Sequence, residues 1–168
     1  MSIYFFYFVK EFEMSKLKVL LIILLSVFVK PVLANTSEEV KYLAMAIFYE
    51  AQGESRAGKE AVADVILNRV NHPEFANSVK KVITTKGQFQ WYHNRSLRGG
   101  RVFNPSKEKE IMKLAKKKYM QHVMDVRNDT TKKAIFFSTG RKPAPRARLY
   151  KKVGNHYLYT LKPKTRRT

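Results

Sequence analysis

The stretch Leu43–Val70, LAMAIFYEAQGESRAGKEAVADVILNRV, decides the fold. It holds two apolar runs of helical period separated by a polar break at Gly53. Extended back to Val40, the first run places Val40, Leu43, Ala44, Ile47 and Ala51 on one stripe. Thr36-Ser37-Glu38-Glu39 has capping-box spacing, with Thr36 as the expected N-cap and Glu39 at N3. Gly53 is placed to close that helix in a left-handed conformation. The second run predicts a helix over about Ala57–Val70, with Ala61, Val62, Val65, Ile66 and Val70 inward and a stop at Asn71-His72-Pro73.

Downstream, a short helix is expected near Ser78–Ile83, followed by a loop over Lys86–Gly100. Asn104-Pro105-Ser106 should open a third long helix reaching about Val126, with Ile111, Leu114, Ala115, Tyr119, His122 and Val123 inward. After Asn128-Asp129 the period changes. Ala134–Ser138 and His156–Tyr159 have the composition of short strands, flanking a basic loop that ends in a Gly154-Asn155 turn. The expectation is a mainly helical α+β domain over residues 35–160, with a short C-terminal β-hairpin and a basic tail over 161–168.

Residues 1–34 are expected to stand outside that domain as a leader and signal peptide. In SKLKVLLIILLSVFVKPVLA, Lys16 and Lys18 precede the apolar run Val19–Val29, Pro31 breaks it, and Val32-Leu33-Ala34 suits cleavage after Ala34. The run is shorter than the roughly 18–20 residues that span a bilayer, although an uncleaved anchor is the alternative. Met14 is a plausible true start, with residues 1–13 an upstream leader. Such a signal sends the mature chain to the periplasm, cell wall or medium.

The chain of 168 residues carries 33 Lys+Arg against 13 Asp+Glu, a net charge of +20. With 45% hydrophobic residues it is no disordered polyelectrolyte. It contains no cysteine, which excludes disulfide scaffolds, thiol nucleophiles and thiolate metal sites. The four histidines, His72, His93, His122 and His156, have no close ligand spacing, so neither a metal nor any other cofactor is expected.

Two regions could carry chemistry. Glu50 sits near the end of an apolar helix, flanked by Phe48, Tyr49 and Ala51, at the edge of the stripe near Leu43 and Ala46. Partial desolvation there would raise its pKa, as a general acid requires; a solvated glutamate in the last turn fits the position too. The loop Gly87-Gln88-Phe89-Gln90-Trp91-Tyr92 sets amides beside aromatics, the combination that holds sugars, or else plugs a core. Among other carboxylates, Glu54 lies four residues beyond Glu50, and Asp64 shares a helix side with Glu60, where it is expected to be solvated.

Three ordered motifs then point to one family. Tyr49-Glu50-Ala51-Gln52-Gly53-Glu54 with Gly58, Ala61-Val62 and Asn68-Arg69, followed by Gly87-Gln88-Phe89 and Gly154-Asn155-His156-Tyr157-Leu158-Tyr159, resembles the SleB-like cell wall hydrolase family from about Val40 to Thr160. Leu158 stands where that family usually has phenylalanine, and Pro143–Leu149 lacks its usual tryptophan. The resemblance implies a lysozyme-like fold and cleavage of peptidoglycan glycan strands between N-acetylmuramic acid and N-acetylglucosamine. It implies Glu50 as catalytic acid and places His156 and Tyr157 near the substrate, with a core role for either as the alternative. Gln88 is the candidate substrate-positioning amide, with Phe89, Trp91 and Tyr49 as aromatic contacts. Glu54 is the candidate second carboxylate, although Gly53 is expected to turn the chain between it and Glu50. Lytic transglycosylation is preferred over hydrolysis, because one carboxylate suffices for it.

The charge leaves two other readings. Lys107, Lys109, Lys113, Lys116, Lys117 and Lys118 are expected to form a basic helix face, and Arg141, Lys142, Arg146, Arg148, Lys151 and Lys152 a basic loop. Such runs bind nucleic acid in other settings, but an exported protein meets anionic envelope polymers instead, and no nucleic-acid partner is expected. A non-catalytic wall-binding module would use the same cleft and release nothing. A monomer is expected.

Overall fold

The computed structural model describes residues 36–140 and 147–162. The expected leader, signal peptide and cleavage point lie outside the described residues, as do Arg141, Lys142, Arg146 and the tail beyond Lys162. Helix α1 covers residues 36–50, and α2 is Arg56–Val70. They are followed by α3 (Val79–Thr84), α4 (Gln90–His93), a 3-10 turn (Arg95–Arg98) and α5 (Lys109–Val123). Strands β1 (Phe136–Ser138), β2 (Ala147–Val153) and β3 (His156–Leu161) form an antiparallel sheet in the order β1-β3-β2.

Helix α2 is the central element, packed against α3, α5 and the sheet. Ser55 caps it, accepting a hydrogen bond from the Gly58 N–H, and every residue from Ala61 to Arg69 is buried. The main core joins Leu43, Ile47 and Phe48 of α1 to Val62 and Ile66 of α2, with Val82, Ile83, Phe89, Trp91 and Leu114. Ala61 and Val65 pack separately against Ala134 and Leu158 of the sheet side. Polar atoms inside α2 are matched as burial requires. Asn68 Nδ2 donates to Thr131 Oγ1 and to the Ala134 carbonyl, both at 3.0 Å, which fixes the chain entering β1.

Several local expectations are corrected. Thr36 is itself helical in α1 rather than standing before it. The buried Glu39 carboxylate reaches across to α3, where it accepts the Val79 N–H at 2.6 Å and serves the orphan amides of another helix. Helix α5 starts at Lys109, because Asn104 folds its side chain onto the Ser106 N–H in a local turn. Val123 points to solvent. Lys118 leaves the expected basic face: it is buried, and its ammonium meets both oxygens of Asp64 at 2.8 and 2.9 Å. Asp64 is therefore a fully buried ion-pair partner; burial raises its carboxyl pKa and Lys118 pulls it back. The expected basic loop contains a third strand, β2, paired to β3 with a register irregularity between Leu149 and Lys151. The loop over 86–100 contains α4 and the 3-10 turn.

Candidate functional site

Helix α1 ends by presenting Tyr49 and Glu50 toward α4. The Tyr49 and Trp91 rings stack at 4.5 Å between centroids, and the Trp91 indole N–H donates to Glu50 Oε1 at 2.8 Å. Tyr49 Oη accepts the Phe103 N–H at 3.1 Å and donates to the Arg101 carbonyl at 3.3 Å, pinning the segment before α5. Arg101 in turn holds Gln52 Oε1, and Arg98 donates to the Trp91 and Tyr92 carbonyls. Glu50 is thus gripped from one side and half-buried, with one carboxylate oxygen committed to the indole. Burial raises its pKa above the ordinary glutamate value. The Trp91 N–H and the nearby Arg69 charge oppose that rise.

Arg69 had no role assigned from sequence, yet it organises the floor of the site. The residue is 6% exposed, and its guanidinium lies within 6 Å of four phenylalanine rings, those of Phe75, Phe89, Phe136 and Phe137. Nε donates to the Ile135 carbonyl at 2.7 Å and Nη1 to Gln88 Oε1 at 3.3 Å. Burial lowers its pKa to about 10, while the Glu50 carboxylate favours its charge. The visible signal was an arginine inside an otherwise apolar helical run, where a cation needs aromatic faces and acceptors around it.

The remaining predicted residues separate. Gln88 is exposed and joins the cluster through Arg69, whereas Phe89 is 1% exposed and serves the core under Arg69 and Trp91. His156 is buried edge-on against Phe137, with Nδ1 unpartnered. Burial lowers its pKa, against the Glu54 charge and a hydrogen bond toward the Glu50 backbone. Its neighbour in sequence, Tyr157, lies on the opposite side of β3, with the Lys152 ammonium 5.2 Å from its ring centroid.

Glu54 is engaged at the β2–β3 turn. Both its oxygens accept the Asn155 N–H at 3.3 Å, and its side chain lies against Gly58 and Gly154. A Cβ at Gly154 would overlap the carboxylate and one at Gly58 would sit tightly against the side chain at 3.0 Å, so these glycines leave room for the carboxylate that fastens the β2–β3 turn to the α1–α2 loop. Among the described residues, no group of three or more His, Asp or Glu side chains could hold a metal ion.

The chain has known counterparts in sequence and fold. The family model described as Cell Wall Hydrolase matches residues 53–159, a span that contains Glu54, Gln88, Trp91 and His156 and begins just after Glu50. The spore cortex-lytic enzyme of Bacillus subtilis (strain 168) is 48% identical over 48 residues, 29% of this chain and 16% of that protein. The enzyme of the same name from Halalkalibacterium halodurans is 44% identical over 48 residues, 14% of its length. This chain thus matches under a fifth of the length of these curated relatives. The catalytic domain of the Bacillus cereus SleB protein superposes with a TM-score of 0.54 at 25% identity, covering 73% of this chain and 89% of that one. The catalytic domain of the germination-specific lytic transglycosylase SleB from Bacillus anthracis gives the same TM-score and identity, with 93% of it covered. The fold is the lysozyme-like one of these domains, with three antiparallel strands beside the helices. On this evidence the chain belongs to the cell wall hydrolase family, as a SleB-like member.

Proposed function

We propose that this protein cleaves the glycan strand of peptidoglycan between N-acetylmuramic acid and N-acetylglucosamine, as a lytic transglycosylase with Glu50 as general acid and then base. The observation that carries this reading is the state of Glu50: a half-buried carboxyl with a raised pKa, oriented by one indole N–H. A protonated Glu50 gives its proton to the glycosidic oxygen as the C1–O bond breaks and oxocarbenium character develops at C1. The resulting carboxylate then takes the proton of the muramoyl 6-hydroxyl, whose oxygen bonds to C1 and closes a 1,6-anhydro ring. No water enters the products, and Glu50 recovers its proton.

The engagement of the other carboxylates supports one-acid chemistry. Glu54 holds the Asn155 amide, Asp64 is buried against Lys118, and Glu39 serves α3. A muramidase-type hydrolase of the same bond is the alternative, because Glu54 is only four residues from Glu50. Tyr49, Trp91 and Gln88 line the acid and meet the sugar in this reading, with Phe89 and His156 beneath them and Tyr157 at the margin. Export to the periplasm or wall, action as a monomer and attachment to anionic envelope polymers complete it. Arg56, Lys59, Lys113 and Lys117 line a groove of about 330 Å³ that shares no residue with the Glu50 cluster and suits such polymers.

The test is digestion of purified peptidoglycan, with fragments identified by mass spectrometry, for the wild type and Glu50→Gln. Anhydro-muramoyl fragments absent from the variant support the reading. Reducing-end fragments absent from the variant replace it with hydrolysis. Wall binding by a folded protein that releases nothing replaces it with a binding module.

A further inference from the structure

The Gln88 amide has a defined orientation. An arginine carries only donors, so the atom of Gln88 facing Arg69 must be the carbonyl oxygen, as observed at 3.3 Å from Nη1. Arg69 cannot turn to offer anything else, held as it is by the Ile135 carbonyl and four phenylalanine faces. The backbone of Gln88 is fixed as well, following Gly87 at φ 85° and donating its N–H to the Thr85 carbonyl at 3.1 Å. Its Nε2 has no hydrogen-bond partner among the described residues, and the side chain is exposed. The site therefore presents a hydrogen-bond donor at this point. That donor stands one side chain from Arg69, whose charge acts on Glu50.

A donor discriminates among the groups a glycan carries. A hydroxyl can accept or donate and fits either orientation of the amide. An acetamido carbonyl only accepts, and the ammonium of a de-N-acetylated sugar only donates. We propose that Gln88 reads the N-acetyl group of the glycan strand, donating from Nε2 to the acetamido oxygen. Arg69 is the positioning residue that fixes which end of the amide faces out. This specificity rests on the glycan-cleaving reading above and narrows it to N-acetylated strands.

The experiment measures affinity and product release with solubilised, stem-free glycan strands, fully N-acetylated or chemically de-N-acetylated. Proteins compared are the wild type, Gln88→Met and Arg69→Met, each with its thermal midpoint recorded. The wild type should favour acetylated strands roughly tenfold beyond the preference of Gln88→Met, the size of one hydrogen bond lost between donors. General repulsion between a basic protein and ammonium groups is common to the wild type and Gln88→Met, whose charge is the same, and cancels in that ratio. Arg69→Met should also lower the ratio, because a side chain of similar length without a donor frees the amide to turn. A purely structural Arg69 would weaken both substrates equally. An unchanged ratio in Gln88→Met overturns the proposal, and an unchanged ratio in folded Arg69→Met overturns the part given to Arg69. Should the wild type release nothing from either strand, the enzymatic reading fails, while the affinity ratio still decides what Gln88 reads.

Discussion

Glu54 and Gly154 share one volume: the carboxylate of the first lies where a side chain on the second would be, and both its oxygens reach the next residue's N–H. Gly154 also has φ 57°, a conformation that favours glycine. Gly154→Ala should therefore destabilise the fold by about 1–3 kcal/mol, with a lower denaturant midpoint. Glu54→Gln keeps an acceptor for Asn155 and should retain most activity per folded molecule. Loss of activity comparable to that of Glu50→Gln would make Glu54 a second catalytic carboxylate.

Glu50→Gln should reduce fragment release by about 10³-fold or more, the scale expected when a general acid is removed, with the fold intact. Its stability should respond to pH in a defined direction. With a raised native pKa, the folded state holds the Glu50 proton after the unfolded chain has lost it, so stability falls as pH rises through that window. Thermal midpoints of the wild type should therefore drop relative to Glu50→Gln as pH climbs above the ordinary glutamate value, and converge below it.

Trp91→Phe keeps a ring against Tyr49 and removes the N–H that lowers the Glu50 pKa. The alkaline limb of the activity profile, where the acid loses its proton, should move to higher pH. Maximal turnover should fall about tenfold from lost orientation of the carboxyl. A pH–rate series on solubilised glycan strands measures both, and an unmoved limb would detach Trp91 from the acid.

Lys118→Met would strand Asp64 in the interior. The expected cost is about 3–5 kcal/mol, measured by urea denaturation. The double change Asp64→Leu with Lys118→Met should recover much of it, because the pair would then be replaced by packing.

How far the sequence disclosed this molecule depends on whether a residue's type betrays its surroundings. The helical period of Val40–Ala51 and of Ala61–Val70 is set by the core itself, so α1 and α2 were legible, as was the left-handed Gly53. Lys118 was not, because a buried lysine and a solvated one are the same letter, and its partner Asp64 lies 54 residues away. Strand β2 was hidden by Arg148, Lys151 and Lys152, whose charge reflects a strand that, among the described residues, is paired on one side only. At the site, Glu50 and Trp91 could be singled out separately, but their hydrogen bond is a tertiary fact. The importance of Arg69 became visible only with the four aromatic rings around it.

The position of β2 has a consequence for life at high local concentration. Among the described residues its outer edge is unpaired, and it carries exposed Arg148 and Lys152. A bare strand edge is a template on which a second copy can extend the sheet, and cations along it repel that copy before backbone pairing begins. A protein gathered densely on a polyanionic matrix would meet its own kind constantly. In the proposed reading, cations of the kind that would attract such a matrix would along β2 also keep the protein's molecules from zipping together there.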